Sequence, residues 1–223
     1  FLGRVVSPRI EMRSELKKRV ETKGDPWDRR QNALKWLLVT CFGYTGYRNA
    51  RFGRIECHEA ICSWSRDILL EAKSVAEEEG WGCLHAIVDS IWLKDEWERD
   101  KESQAESIGR LLYKIERFSG IPIELEDVYD WIAFVPNRTT GSSSLTKYFA
   151  YGERGWKRRG IELRQHSTCE WVKDMQMRIL SELNERGHVA GVEASLRHYR
   201  REAVRMRAGA VPLSELIISR RVR

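Results

Sequence analysis

Apolar residues recur at helical spacing along most of the chain and alternate with polar residues in several short segments. The helical pattern predicts helices over residues 9–23, 27–42, 55–79, 94–118, 170–187 and 189–206. Alternation of apolar and acidic residues predicts a strand over 121–126, and an apolar run predicts a strand, tight turn and strand over 83–93. Further strands are predicted over 131–135, 145–151 and 156–162. Helices combined with short neighbouring strands predict an α+β fold with an antiparallel sheet.

Turn and capping residues set the expected ends of these helices. Gly24-Asp25-Pro26 should stop the first helix, and the glycine-rich aromatic stretch from Phe42 to Tyr47 should end the second. Ser167-Thr168-Cys169-Glu170 has the pattern of a capping box, and Gly187 should stop the helix that it opens.

The composition favours a soluble protein with a sizeable core. The 223 residues are 42% hydrophobic, and 32% are charged. No apolar run approaches the length of a transmembrane helix, and the first residues lack the long apolar segment of a signal peptide. The five cysteines are odd in number, so we expect free thiols in a reducing, cytoplasmic compartment.

The net charge of +6 is unevenly distributed. Residues 1–66 carry 14 Lys and Arg against 7 Asp and Glu, and residues 151–223 carry 16 against 9. Residues 67–130, by contrast, carry 7 against 17. Two basic blocks around an acidic one suit phosphate binding at both ends and metal-binding carboxylates in the middle. A solvated acidic helix face is the alternative for the middle block.

The segment from Lys35 to Ala60 combines features of a nucleotide site. A helix leads into two glycines interleaved with three aromatic rings, which let a ligand approach closely and give a base a flat surface. Arg48, Arg51 and Arg54 follow at intervals of three, so we expect them on one helical face. This order of helix, glycine–aromatic segment and arginines suits a site that holds a nucleotide against the end of a nucleic-acid strand.

The first two predicted helices form an antiparallel hairpin that could collect three cations. Arg13 and Lys17 are four residues apart on the first helix, and Lys35 lies on the second. If these faces align, the three side chains converge on one spot, as a triphosphate requires. Ion pairs of Arg13 and Lys17 with Glu21 or Glu11 are the alternative.

Asp89 is a single carboxylate between two apolar strands. An unpaired buried charge is costly, so Asp89 must meet a cation, a metal or water at the turn. A plain hairpin-turn aspartate is the alternative. Cys57, His58 and Cys62 do not predict a zinc site, because the two sulfurs would point in different directions and no second cysteine pair completes a tetrahedral set.

The central segment resembles motif B of the family B DNA polymerases, KxxxNSxYG followed by GYxxARFG. Lys35 takes the lysine position, Phe42-Gly43 the YG, and residues 46–53 the continuation, with Val39-Thr40 in place of Asn-Ser. The resemblance implies that Arg13, Lys17 and Lys35 bind the incoming triphosphate. It also implies that Phe42 and Gly43 form the floor under the nascent base pair.

Residues 85–90 resemble motif C of the same family, usually YGDTDS. Asp89 matches the second Asp, the catalytic metal ligand, whereas Ile87 and Val88 replace the first Asp and the Thr. Relatives carry an acidic strand beside the metal site, which makes Glu126 an auxiliary metal ligand by resemblance. An exposed strand residue is an equal alternative for Glu126.

The resemblance also assigns the fold and the DNA contacts. It divides the chain into a partial fingers hairpin (1–42), a palm with an antiparallel sheet (43–164) and a mostly helical thumb (165–223). The residues that it implies against primer–template DNA are Tyr47, Arg48, Arg51, Lys147, Tyr148, Arg159, Gly160, Arg197 and Arg201. For the thumb arginines, simple solvation of a helix is the alternative.

Two-metal phosphoryl transfer needs a second carboxylate, which the family supplies from a DxxSLYP-type motif A. That motif and the exonuclease motifs do not occur in these 223 residues. The chain therefore resembles the carboxyl-terminal portion of an archaeal enzyme, as in the split polymerases of methanogens. The resemblance implies magnesium, deoxynucleotides, primer–template DNA and a large partner with exonuclease and motif A, with a sliding clamp as a further candidate partner. A catalytically degenerate DNA-binding scaffold and a fragment of a longer polymerase are the alternatives.

Overall fold

The computed structural model describes residues 2–220 and has the predicted α+β character. It divides into two units, Phe1–Pro122 and Ile123–Arg223, each of which is described by itself. The division into fingers, palm and thumb remains a prediction, and the last three residues of the basic tail lie outside the described part. None of the described helices has the length and apolar character needed to cross a membrane.

The first unit opens with a helical hairpin, α1 (Leu2–Lys18) and α2 (Pro26–Thr45). Asp25 shapes the connection, since its carboxylate accepts hydrogen bonds from the amides of Glu21, Thr22 and Asp28. These bonds hold the segment before α2 as a turn, so α1 ends before the predicted residue 23. The helix also begins earlier than the predicted residue 9, so the prediction was wrong at both ends.

The end of α2 also differs from the prediction. The helix continues through Phe42 and Gly43 and ends at Thr45, where the amide of Gly46 bonds to the carbonyls of Gly43 and Tyr44. One glycine inside a helix is tolerated at a cost of about 1 kcal/mol. The helix therefore stops three residues later than the pattern suggested.

The rest of the first unit consists of α3 (Ile55–Glu78), a hairpin of β1 (Trp81–Ile87) and β2 (Ser90–Asp95), and α4 (Lys101–Ser119). The hairpin is antiparallel, as predicted for residues 83–93, but α4 begins at 101 because Lys94 and Asp95 extend β2. Small and apolar residues from α3, β1 and α4 form the core: Ala72, Ala76, Trp81, Ser107, Leu111 and Ile115. The Trp81 indole donates a buried hydrogen bond of 3.0 Å to the Ser107 hydroxyl.

Arg99 locks the base of this hairpin. Its guanidinium lies over the rings of Trp81 and Trp97, at 5.2 and 4.4 Å from their centroids. It also forms a 2.5 Å ion pair with Asp95, and the two side chains are only 10% and 7% exposed. The base of the hairpin is therefore fixed, while its tip at Val88 and Asp89 is exposed.

The second unit contains a three-stranded antiparallel sheet in the order β3 (Tyr129–Pro136), β4 (Ser143–Gly152) and β5 (Gly155–Arg159). The predicted strand over 121–126 was wrong, because these residues form no ladder in the structure. Trp131 stands edge-on to Phe149 and Trp156 on one sheet face, and its indole donates to the Asn184 side chain at 3.1 Å. Aromatic contacts of this kind pack the sheet on the following helix.

Short 3-10 turns, Glu162–Arg164 and Leu213–Leu216, flank α5 (Glu170–Arg207). The predicted capping box does not form, because Cys169 occupies the N-cap position and no side chain caps the helix. Gly187 breaks α5 with φ 72° and ψ 179°, as its predicted stop required.

The two segments of α5 fold back on each other around Gly187. Ser195 donates to the Ile179 carbonyl at 3.3 Å, and the Trp171 indole donates to the Glu202 carboxylate at 3.3 Å. A β-carbon on Gly191 would lie 2.7 Å from the Glu182 carbonyl, so a glycine is needed where the segments cross. We call this element the arginine hairpin, residues 170–207.

Candidate functional site

Asp89 lies at the exposed tip of the β1–β2 hairpin. Ile87 pairs with Ser90 across the turn, and the Ser90 hydroxyl donates to the Ile87 carbonyl at 3.2 Å. Val88 has φ 56°, a conformation that a β-branched residue adopts only under strain. The carboxylate is thus held on a tight, strained turn and is accessible to a ligand.

The described residues 2–220 contain no group of three or more His, Cys, Asp or Glu side chains arranged to hold a metal ion. One exposed carboxylate still suits magnesium, which is bound through one or two carboxylates together with water and substrate phosphates. Asp89 therefore fits half of such a site, and further oxygen ligands would have to come from other groups.

Glu126, the predicted auxiliary ligand, forms an ion pair with Lys157. It lines a pocket of about 190 Å³ together with Asp127, Tyr129 and Arg154. Burial, followed by the charges of Glu126 and Asp127, raises the pKa of Tyr129 to about 12. Because Lys157 already neutralises Glu126, a metal at this carboxylate would have to displace an existing cation.

The predicted triphosphate cations all lie on the first helical hairpin. Arg13 is half-buried, and Lys17 and Lys35 are exposed. The Nε atom of Arg13 is buried without a hydrogen-bond partner among the described residues. The hairpin itself is confirmed, whereas the convergence of the three cations stays a prediction.

Phe42 and Gly43, the predicted nucleotide floor, lie in the last turn of α2. The Phe42 ring is 41% exposed, so part of it is accessible. A β-carbon built on Gly43 would meet no atom of the described chain within 4 Å, apart from its own helix. The surface at Gly43 is therefore open enough for close approach of a flat ligand.

His58, on α3, packs against this last turn of α2. Its ring stacks on Phe42 with the centroids 4.6 Å apart and the planes 25° from parallel. Its Nδ1 lies 3.1 Å from the hydroxyl of Thr45, which itself donates to the Phe42 carbonyl at 2.6 Å. A β-carbon on Gly46 would lie 3.0 Å from the His58 ring, so this glycine is where the ring approaches the backbone.

Tyr47, Arg48 and Arg51, the predicted DNA contacts after α2, lie on a non-helical loop, residues 46–54. The prediction of one helical face of arginines was wrong, because the loop is closed by hydrogen bonds from Gly53 to Ala50 and from Arg54 to Thr45. The three residues are all exposed, so contact with a nucleic acid is open to each of them.

In the second unit, Lys147 is exposed in the middle of β4, and Arg159 is exposed at the end of β5, where it pairs with the neighbouring Tyr148. Gly160 has φ 68°, and a β-carbon there would lie 2.2 Å from the Thr146 carbonyl, so Gly160 has a backbone role. Tyr148 is only 1% exposed and lies against Phe134 in the core. Its ring therefore belongs to the core of this unit, and the predicted contact of Tyr148 with DNA stays a prediction.

The arginine hairpin carries a feature that the sequence reasoning missed. Arg197 and Arg201, which were predicted, line a pocket of about 320 Å³. Arg178 and Arg186, which were not, line it together with Glu182 from the segment before Gly187, and His198 lines it from the segment of Arg197. The i, i+4 spacing of Arg178, Glu182 and Arg186 could have identified the second pair.

Glu182 organises this arginine pocket. It is 6% exposed, pairs with Arg178 at 2.6 Å and forms a second ion pair with Arg186. The hydrogen bond from Arg186, assisted by the charge of Arg178, holds the pKa of Glu182 below its ordinary value. Burial and the neighbouring Arg201 lower the pKa of His198, which favours its neutral form. Four arginines and one carboxylate line the pocket, and Arg197 also pairs with Glu193 and Arg201 with Glu202. The remaining excess of arginine suits a phosphate group.

Comparison with known proteins places this geometry in a family. The family model of DNA polymerase family B matches residues 1–223. The DNA polymerase 2 of Saccharolobus solfataricus is 34% identical over 141 residues, which are 63% of this chain and 20% of that protein. The DNA polymerase of Archaeoglobus fulgidus is 27% identical over 225 residues, which cover 98% of this chain and 27% of that protein.

A solved structure agrees with these relatives. The family B DNA polymerase of Pyrobaculum calidifontis matches 97% of this chain with a TM-score of 0.62 and 25% identity, over 26% of its own length. The chain thus spans between a fifth and about a quarter of the proteins that it matches. Since the family model covers every residue, the chain belongs to the family B DNA polymerases.

Proposed function

We propose that this chain forms the carboxyl-terminal part of a template-directed DNA polymerase. It would supply the triphosphate-binding fingers, one metal-binding aspartate and the thumb that holds the duplex. The observation that carries the proposal is Asp89, an exposed carboxylate on a tight hairpin tip in a chain that matches the polymerase family throughout.

The first unit would bind the incoming nucleotide. Arg13, Lys17 and Lys35 on the helical hairpin neutralise the triphosphate, since charge-assisted hydrogen bonds are the strong contacts to phosphate. The exposed edge of Phe42 and the open surface of Gly43 support the base pair that is being formed.

Asp89 would take part in the metal chemistry. Magnesium, when bound, stabilises the charge on the attacking and leaving oxygens of the phosphoryl transfer. Asp89 offers it a carboxylate oxygen, and Glu126 remains a proposed auxiliary ligand in competition with Lys157. A carboxylate from motif A would complete the site.

Backbone-directed contacts would hold the primer–template duplex without reading its sequence. Lys147 and Arg159 provide two exposed cations, with Gly160 shaping the strand end beside Arg159. Tyr47, Arg48 and Arg51 provide contacts from the loop after α2. The arginine pocket adds Arg178 and Arg186 to the predicted Arg197 and Arg201.

We infer that a large subunit with exonuclease and motif A completes the enzyme as a heterodimer. The exposed apolar side chains of α2 support an interface, because Trp36 is 70% and Val39 is 52% exposed on the same helical face as Gly43. The partner that we propose for this apolar surface is a polypeptide that carries the other segments of a family B polymerase. The same segments joined covalently to this chain are the alternative arrangement.

A non-catalytic DNA-binding scaffold is a second candidate function. Ile87 stands where the family has its first motif C aspartate, and Val88 is strained in the position of the threonine. Both replacements remove polar groups beside Asp89. A scaffold would keep the duplex contacts and lose only the chemistry.

Primer extension with and without the completing polypeptide tests the proposal. The pair should extend a primer in magnesium, and Asp89→Ala should abolish extension while leaving primer–template binding unchanged. Asp67→Ala, which removes an exposed aspartate on α3, is the matched control and should have no effect. Unchanged extension by Asp89→Ala would refute the catalytic role and leave the scaffold.

A further inference from the structure

Three contacts made by His58 converge on one turn of helix. The imidazole stacks on the Phe42 ring, lies against the backbone at Gly46 and reaches the Thr45 hydroxyl through Nδ1. Phe42, in that same turn, is part of the proposed nucleotide floor. His58 lies on α3, so it ties the end of α2 to the next helix.

The hydrogen bonds fix the tautomer of the imidazole. The Thr45 hydroxyl has a single proton, and its 2.6 Å contact with the Phe42 carbonyl uses that proton. The hydroxyl oxygen must therefore accept at 3.1 Å from the His58 ring, which makes Nδ1 the protonated nitrogen. A continuous chain of donors then runs from His58 through the buried Thr45 to the carbonyl of Phe42.

His58 thus supports both the side chain and the backbone of Phe42. Stacking fixes the plane of the Phe42 ring, and the hydrogen bonds through Thr45 fix the backbone that carries the ring. Phe42 is part of a helix end and is 41% exposed, so a smaller side chain at 58 would leave its ring free to rotate. A mobile ring is a poorer platform for a base pair.

We propose that His58 is a positioning residue of the nucleotide site, holding the Phe42 ring in the orientation that receives the incoming base pair. This inference rests on the proposed function, in which Phe42 floors that site. It gives the Cys57–His58–Cys62 cluster a role that is not metal binding. It also gives Gly46 a role, since a β-carbon there would lie 3.0 Å from the imidazole, closer than ordinary van der Waals contact.

The first test is spectroscopic and uses the full chain alone. The six phenylalanines are replaced by 4-fluorophenylalanine, and the Phe42 signal is identified from its loss in Phe42→Leu. His58→Ala should move the Phe42 signal, whereas His166→Ala, which removes an exposed histidine, should not. An unmoved Phe42 signal in folded His58→Ala would overturn the stacking on which the inference depends.

The second test measures single-nucleotide incorporation by the complete polymerase that contains this chain. His58→Ala should raise the KM for the nucleotide about three- to tenfold, the range expected for the loss of one aromatic contact, with kcat within about twofold. His58→Phe, which keeps a flat ring beside Phe42, should restore most of the lost affinity. Thermal melting of each variant verifies that the fold is retained.

The outcomes separate this inference from the proposed function. An unchanged nucleotide KM in His58→Ala, or equal losses of affinity in His58→Ala and His58→Phe, would overturn the positioning role. The proposed nucleotide site would still stand if Lys35→Ala and Phe42→Ala raise the nucleotide KM. If Lys35→Ala and Phe42→Ala also leave the KM unchanged, the proposed nucleotide site fails and the inference fails with it.

Discussion

The chain contains two basic helical hairpins whose side chains are buried to very different degrees. In the first, α2 buries only Thr45, and no side chain of residues 3–18 in α1 is buried. In the arginine hairpin, Leu180, Glu182, Ala194, Ser195 and Glu202 are all buried. Both carry positive charge, but the buried carboxylates found in the described part of the chain, Glu182 and Glu202, belong to the second.

This difference indicates how each hairpin functions. In the arginine hairpin, Glu182 and Glu202 hold arginines from within, and this pocket is complete in the second unit. In the first hairpin, Lys18 pairs with Glu15 at the exposed surface, and large apolar side chains such as Trp36 and Val39 are exposed. In the proposed polymerase, the first hairpin would gain its final geometry from the nucleotide and the partner, whereas the arginine hairpin is preorganised by its own ion pairs.

The largest effect is expected at Arg99, at the base of the β1–β2 hairpin. Its substitution tests whether the first unit has a buried core that does not depend on the exposed α1–α2 hairpin. Arg99→Ala leaves Asp95 buried without its partner, so the free energy of unfolding should fall by about 3–5 kcal/mol. Lys18→Ala, in an exposed pair with Glu15, is the control and should change it by less than about 1 kcal/mol. Urea denaturation measures both, and similar values for the two variants would contradict the buried lock.

The second prediction concerns the arginine hairpin as a phosphate-binding element. The logarithm of the duplex-binding constant falls linearly with the logarithm of the salt concentration, and each phosphate contact contributes about 0.9 to the magnitude of this slope. Removing Arg197 and Arg201 together should therefore lower the magnitude of the slope by about 2. Titration of primer–template at several salt concentrations gives this slope. Arg19→Ala, whose guanidinium lies over Trp27 on the first hairpin, should leave the slope unchanged. An unaltered slope in the double variant would show that the pocket does not contact DNA.

The third prediction uses pH to test the internal anchor. The arginines lower the pKa of Glu182 in the folded chain, so its carboxylate stabilises the fold above its ordinary pKa of 4.5. This contribution is lost as the pH falls through the lowered pKa. Glu182→Gln should therefore be less stable than the wild type at neutral pH and lose less stability on acidification.

Glu202 requires a separate variant, because the causes of its pKa shift differ from those at Glu182. Burial opposes its ionisation, but the Trp171 indole together with Arg205 and Arg201 outweighs this effect and lowers the pKa. Glu202→Gln should thus show the same direction of change with pH. Urea midpoints measured between pH 7 and about pH 3 provide the comparison, and parallel curves for wild type and both variants would contradict the anchor.

The smallest effect is expected at Gly43, where stability and function should change in opposite directions. Gly43→Ala should stabilise α2 by about 0.5–1 kcal/mol, since alanine is the better helix former, and the added methyl meets no other part of the described chain. The same methyl should raise the KM for nucleotide by obstructing the floor. Gly109→Ala on α4, also in open space, should stabilise equally without affecting the KM. Equal nucleotide KM values in the two variants would refute a close approach at Gly43.

Several features could be predicted because local chemistry dictates them. The apolar runs on both sides of Asp89 predicted the β1–β2 hairpin, and the interruption at Gly187 was expected from a residue that adopts positive φ without strain. The failures also have local causes. The helix at 9–23 was misplaced because the Asp25 side chain captured the amides before it, and Phe42 did not end α2 because its last turn is closed by Gly46.

The sequence by itself determined the family, the α+β character and the position of Asp89 at a turn between two strands, because these depend on residue order over short distances. Only the tertiary structure decided that Tyr148 is core, that His58 stacks on Phe42, and that Arg178 and Arg186 share a pocket with Arg197 and Arg201. These relations join residues that lie far apart in the chain or on different helices. Their geometry follows from packing, which no local pattern encodes.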